Sequence, residues 1–259
     1  MVSTAQNPDV KNWILIRGLA RGAGHWGAFP EKLHKAFPHD KIYYIEVPGN
    51  GYLNKVATPL KVSKFVDSFY DQLKKQNFDF KLPTYGYSLS LGSMAMVEWA
   101  KQKPKFFKKI YISNTSAANF SNVFKRLSVD AMTLGVRMRF MHTTEDKEVA
   151  SLELTTTLSK KQLLSDYKHA FNSMLSFSKT NSANPKNIIR QLVAASTYAF
   201  PQEPPTEVVL MSGGKDRFVS AQCSKDIENK WSCKHIIHPD AGHDISFQFP
   251  DWVIEQISV

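Results

Sequence analysis

Thr84-Tyr85-Gly86-Tyr87-Ser88-Leu89-Ser90-Leu91-Gly92-Ser93-Met94-Ala95-Met96-Val97-Glu98-Trp99-Ala100 is the most informative stretch of this chain. Residues 84–89 follow Pro83 and read as a buried strand, and the strong helix formers after them predict a helix over 91–102. Small residues crowd the junction. A strand that feeds a helix directly is the repeating unit of a parallel sheet with crossover helices. Outward from this unit, apolar runs bounded by turn residues predict strands at 13–16, 42–47, 109–113, 207–212 and 234–238. Pro48-Gly49-Asn50-Gly51 stops the second of these. Val62, Phe65, Val66, Phe69 and Leu73 predict an amphipathic helix over 60–76, and the stretch from Asp251 reads as a C-terminal helix. The alternation predicts an α/β fold with a doubly wound, mostly parallel sheet.

Residues 117–204 break this rhythm. Leu163, Tyr167, Phe171 and Leu175, then Ile188, Ile189 and Leu192, keep helical spacing, and no strand pattern intervenes. Pro201, Pro204 and Pro205 close the segment. The expected organisation is a core of residues 1–116 and 205–259 with a helical cap inserted at 117–204. Phe120, Phe124, Met132, Leu134, Met138, Phe140 and Met141 of that insertion either dock it onto the sheet or offer an apolar surface to a ligand.

Composition sets the outer limits. A chain of 259 residues with 42% hydrophobic and 22% charged residues is ordinary globular material. Lys+Arg exceed Asp+Glu by 33 to 23, a net charge of +10. Such a balance raises nucleic acid or an acidic membrane surface as partners. The lysines are scattered, however, and no nucleic-acid motif accompanies the densest run, Lys101 to Lys109, so a solvated face is expected and nucleic acid is not. Two cysteines, Cys223 and Cys233, read as free thiols in a reducing compartment. No secretory signal and no membrane span are legible, so a cytoplasmic protein is expected.

In open α/β sheets ligands bind beyond the carboxyl ends of the strands, and four such segments carry chemistry. The first is Arg17-Gly18-Leu19-Ala20-Arg21-Gly22-Ala23-Gly24-His25-Trp26-Gly27. Gly22, Gly24 and Gly27 fit the dinucleotide pattern G-x-G-x-x-G, with Glu46 about twenty residues on. The same glycines could instead turn backbone N–H groups toward a developing oxyanion. The second is the strand–helix junction, where G-x-S-x-G is half met in two frames. One centres on Ser88 and lacks the second glycine; the other centres on Ser90 and lacks the first. The Ser90 frame is preferred. It leaves a full strand before the turn and puts Gly92 where the helix begins to pass the strand. The third segment is Ser212-Gly213-Gly214-Lys215-Asp216, a strand running through glycines into a carboxylate that can orient a histidine. The fourth is His238-Pro239-Asp240-Ala241-Gly242-His243-Asp244, where His243 is placed as a general base. His25 reads as a packing or pocket residue, and His34, His39, His142 and His169 as surface positions. The spacing of His238, Asp240 and His243 matches no metal motif, and no metal or cofactor is expected.

The order Ser90, Asp216, His243, each past a strand, with a helical segment in the long first gap, resembles the α/β-hydrolase superfamily over nearly the whole chain. The run Ser90-Leu91-Gly92-Ser93-Met94 with Glu98-Trp99-Ala100, the Val47-Pro48-Gly49-Asn50-Gly51 loop and the Ala241-Gly242-His243-Asp244 loop are similar to that family's own. The resemblance implies Ser90 as nucleophile, His243 as base, Asp216 as its orienting acid, and the N–H groups of Leu19 and Leu91 as the oxyanion hole. It implies a carboxylesterase-like enzyme that cleaves a small ester or thioester with an apolar group. Two departures stand out. Ser88 replaces the upstream glycine of the motif, and Arg17-Gly18 replaces the family's common His-Gly, so that a guanidinium could reach a substrate carboxylate.

Two other classes fit part of the pattern. A short-chain dehydrogenase would explain the glycines, Glu46 and Ser113-Asn114-Thr115-Ser116. That family also needs Tyr-x-x-x-Lys downstream of its serine, and none occurs there. A binding protein that has lost activity on a hydrolase fold would explain both departures. A serine nucleophile excludes the relatives that attack with a carboxylate.

Overall fold

The computed structural model describes residues 10–258. Six strands form one sheet: β1 (Asn12–Ile16), β2 (Lys41–Ile45), β3 (Thr84–Leu89), β4 (Lys109–Ser113), β5 (Glu207–Gly213) and β6 (Lys234–His238). Their order is β2-β1-β3-β4-β5-β6, and every pairing is parallel. The order reverses beside β1, which opens a crevice at the carboxyl ends of β1 and β3.

Alternation along the strands fills two layers. Ile14, Ile16, Ile110, Ile112, Val208 and Leu210 face α2 (Phe69–Lys75), α3 (Leu91–Gln102) and the later helix Ala221–Trp231. On the other face Trp13, Leu15, Tyr87, Tyr111, Val209 and Met211 pack against α1 (Phe29–Ala36) and the C-terminal helix Pro250–Ile257. The expected helix over 60–76 is only partly one. Two 3-10 turns, Val62–Lys64 and Val66–Ser68, precede α2. The apolar spacing is right and all five marker residues are buried. Val62, Ser63, Val66, Asp67 and Ser68 are weak helix formers, so the first half stays a tighter coil.

Between β4 and β5 lie α4 (Val123–Arg126), α5 (Val129–Arg137), α6 (Thr144–Thr155), α7 (Lys160–Leu164), α8 (Lys168–Asn181) and α9 (Pro185–Thr197), with no strand. Helices α10 (Ala221–Trp231), α11 (Ile245–Gln248) and α12 (Pro250–Ile257) complete the chain. Val149, Leu152, Leu158, Leu163, Phe171 and Met174 form a separate cluster closed by Phe247 of α11. Of the residues singled out in the sequence, Phe120 joins the segment to the sheet-facing core, packing against Phe200 and Trp231. Phe124, Met132 and Phe140 are exposed, so their docking role is a correction. They sit on short elements whose inner faces are already filled by smaller residues such as Ala131.

Candidate active site

Strand β3 carries Ser88 in register with Ile16 and Ile112, fully buried between its neighbours. Its hydroxyl donates to Ser93 Oγ at 3.2 Å. Ser90 lies two residues on, at the turn itself, with φ 57° and ψ −120°. That region is a glycine conformation and costs a serine of order 1–3 kcal/mol unless its surroundings enforce it. They do. Ser90 N–H donates to Ser113 O at 2.8 Å, and Ser90 O accepts from Thr115 Oγ1 at 2.9 Å. Gly92 permits the geometry, because a Cβ there would meet Arg17 O at 2.5 Å. Gly86 serves a different purpose: its bare Cα admits Met96 of α3 to the sheet.

The loop after β1 passes over this turn. A Cβ on Gly18 would lie 3.0 Å from Ser90 Cβ, so the backbone carrying Leu19 is close against Ser90. Among the described residues neither Leu19 N–H nor Leu91 N–H has an acceptor. For Leu91 this follows from its place in the first turn of a helix. The loop's shape is enforced from outside. Asn50 Nδ2 donates to Gly18 O and Arg21 O, each at 3.0 Å. Gln191 of α9 accepts from Ala20 N–H at 2.9 Å and donates to Asn50 Oδ1 at 2.7 Å.

Asp216 and His243 are brought together. His243 Nδ1 lies 2.7 Å from Asp216 Oδ2, and both side chains are almost fully buried. Asp216 Oδ1 is itself fixed by the N–H groups of Phe218 and Val219 at 2.7 and 3.0 Å. The Phe218 ring packs 4.8 Å from the imidazole, centre to centre. Nε2 of His243 and Oγ of Ser90 make no hydrogen bond among the described residues, so the contact between them is not formed in this state.

Several residues at the site were not legible in the sequence. Asn114, at φ 45° just past β4, donates to His243 O at 2.6 Å and accepts from Gly213 N–H at 2.8 Å. It thereby links the His243 and Asp216 loops. An asparagine in the left-handed region directly after a strand was the available signal. Asp244 meets Arg17 in a buried bidentate pair, at 2.9 and 2.5 Å. Burial pushes the Asp244 carboxyl up, but the Arg17 guanidinium outweighs it and holds the group below the usual carboxylate range. Arg17 also packs on the Trp26 ring at 4.8 Å. This corrects the sequence expectation that Arg17 could reach a substrate carboxylate: its guanidinium is 2% exposed and already committed.

A second buried network joins the β1 loop to the helical segment. Arg21 pairs with Glu148 of α6, and Glu148 accepts from Ser178 Oγ of α8 at 2.8 Å. His25 Nδ1 accepts from Gly22 N–H at 2.9 Å, which leaves Nε2 to donate to Ser178 at 2.9 Å. Burial lowers the His25 pKa to about 4, so the ring is neutral near pH 7. Burial alone would raise the Glu148 carboxyl, but Arg21 and His25 together bring it well below its ordinary value.

Glu46 is also occupied. Its Oε1 accepts from Ala23 N–H at 2.9 Å and Tyr52 N–H at 3.4 Å. Burial raises its pKa, partly offset by those amides. Gly22 packs against this carboxylate and Gly24 against the Phe177 ring. The dinucleotide reading needs open backbone at these glycines and a free acid for a ribose. Here both are filled by the chain itself.

No family model matches this chain, and no curated protein matches it. Solved structures do. An enol-lactonase from Burkholderia xenovorans superposes with a TM-score of 0.71 over 98% of this chain and 92% of its own, at 13% identity. An α/β hydrolase fold protein from Chitinophaga pinensis gives 0.71 over 96% and 88%, at 17% identity. The carboxylesterase CesB from Bacillus subtilis gives 0.67 over 97% and 84%, at 14% identity. Such identities speak for architecture. With its six parallel strands, the helical segment before β5 and the turn at Ser90, this chain has the α/β-hydrolase fold.

Proposed function

We propose that the protein is a serine hydrolase that cleaves a small carboxylic ester or thioester through an acyl-enzyme. The observation that carries this is the buried Asp216–His243 hydrogen bond on the same sheet edge as Ser90, which is held at positive φ on a strand–helix turn. In this reading Ser90 Oγ attacks the substrate carbonyl while His243 Nε2 takes its proton. Asp216 keeps the Nδ1 proton in place and stabilises the imidazolium. The N–H groups of Leu19 and Leu91 receive the carbonyl oxygen as it becomes an oxyanion, each worth about 2.7–4 kcal/mol. The tetrahedral intermediate expels the alcohol or thiol, which leaves with the proton from His243. A water, deprotonated by His243, then attacks the acyl-Ser90 ester and frees the carboxylate.

Residues 117–204 act in this reading as a cap over the site. Helices α6, α8 and α9 meet the loops after β1 and β2 through Arg21–Glu148, His25–Ser178 and Asn50–Gln191. The partly exposed Leu19 and Phe218 supply apolar surface beside Ser90 and His243, in keeping with an apolar acyl or alcohol group.

A binding protein without turnover is the second reading, and the unpartnered Ser90 hydroxyl favours it. A series of p-nitrophenyl esters of increasing acyl length separates the two. The serine hydrolase turns over at least one of them, and Ser90→Ala abolishes that while Ser88→Ala does not. Folded protein that binds such esters without releasing nitrophenol establishes the second reading.

A further inference from the structure

Helix α5 turns apolar side chains to solvent. Val129, Met132, Val136 and Phe140 recur at i, i+3, i+7 and i+11, through α5 and the 3-10 turn that continues it. At 3.6 residues per turn Val129, Met132 and Val136 of α5 share a strip about 60° wide, and Phe140 follows in the 3-10 turn. Their exposures are 71%, 48%, 60% and 75%. The inner side is occupied by Ala131, Leu134 and Met138, so the strip is a second apolar face and not a misturned core face. Such residues are concentrated here: of the fourteen large exposed apolar side chains among the described residues, six lie within 123–140.

The charges around the strip identify what it meets. Arg137 and Arg139 lie beside it at the end of α5 and in the 3-10 turn, both exposed, and neither has an ion-pair partner among the described residues. Asp130 is the sole acidic residue between 118 and 143 in a chain of net charge +10. An apolar strip bordered by arginines is the pattern of a helix lying in a lipid interface. The apolar side chains sink among the acyl chains, and the guanidinium groups reach the phosphates. A second copy of the chain fits less well. Twelve residues of helix present a strip about 18 Å by 10 Å, whereas a stable dimer needs about 800 Å² from each partner.

We propose that α5 and its 3-10 extension dock the protein on an anionic phospholipid surface. No helix among the described residues is long and apolar enough to cross a membrane, so the attachment is peripheral. The proposal does not depend on the chemistry at Ser90, and binding of the Ser90→Ala protein tests it separately.

The probe is flotation with vesicles of phosphatidylcholine and phosphatidylserine in equal parts. The protein is expected to float with these, and less with phosphatidylcholine alone. V136S/F140S should lower the bound fraction about tenfold or more. R137E/R139E should do so on the anionic vesicles, and both variants should keep the parent's melting temperature because the altered side chains are exposed. Three results overturn the proposal: no flotation of the parent protein, flotation of V136S/F140S equal to the parent's, or a parent dimer in sedimentation that V136S/F140S disperses to monomer. The last assigns the face to a second copy.

Discussion

Removing the charge of Asp244 should destabilise the protein far more than removing the whole Arg17–Asp244 pair. The two side chains are 2% and 4% exposed. Asp244→Asn keeps the volume and the oxygen that accepts from Phe247 N–H, but leaves the guanidinium as an uncompensated charge. Arg17 Nε already lacks a partner among the described residues, and the neutral Ser246 Oγ, 3.5 Å from Nη1, does not replace a carboxylate. Breaking a buried pair in this way costs about 3–5 kcal/mol. For a protein of this size each kcal/mol shifts the melting temperature by about 2–4 °C, so a fall of about 6–20 °C is expected. The double variant R17M/D244L removes both charges and fills the space with apolar atoms. It should lie within about 1–2 kcal/mol of the parent, because such replacements are often neutral. Urea unfolding at pH 7 with unchanged m-values measures all three proteins and R17M. D244L completes the cycle, and if the losses of R17M and D244L simply add in the double variant, the pair is not coupled and the buried charges do not depend on each other.

His25 gives a pH signature. Its pKa is about 4 in the folded chain against 6.5 in the unfolded one. Between these values the unfolded state holds the extra proton, so stability falls as pH drops from 6.5 towards 4, by up to about 3 kcal/mol. Urea midpoints of H25Q should fall less than the parent's between those two pH values. Gly92→Ala forces a Cβ onto the carbonyl oxygens of Ile16 and Arg17, and should cost about 1–3 kcal/mol and lower kcat. Gly135→Ala in α5, with nothing near its added Cβ, should instead stabilise by about 0.4–1 kcal/mol on thermal melting. Gln191→Leu releases Ala20 N–H and Asn50, so kcat on an ester should fall about tenfold with KM little changed, as expected when a group acts in the transition state.

The sheet was legible because each strand of a parallel sheet is a short apolar run covered on both faces, and each ends in turn residues. The strand at 84–89 and the helix at 91–102 have the bounds their composition predicts. The long-range pairs were not legible. Arg17–Asp244 and Asn114–His243 join residues more than a hundred positions apart, and nothing local marks them. Phe124, Met132 and Phe140 mark the limit of residue type as a guide: an apolar side chain in a helical segment does not show whether anything covers it. The choice between Ser88 and Ser90 rested on where strand gives way to turn, which is set by φ and by neighbouring strands that a local pattern does not contain.

A Ser90 activated as proposed reacts with a fluorophosphonate. Fragment-ion mapping of the labelled peptide then reads which serine carries the adduct, because Ser88 and Ser90 share a peptide and the fragments separate them. An adduct on Ser90 that disappears in His243→Ala is the expected result. An adduct on Ser88, or none on either serine in folded protein, contradicts it.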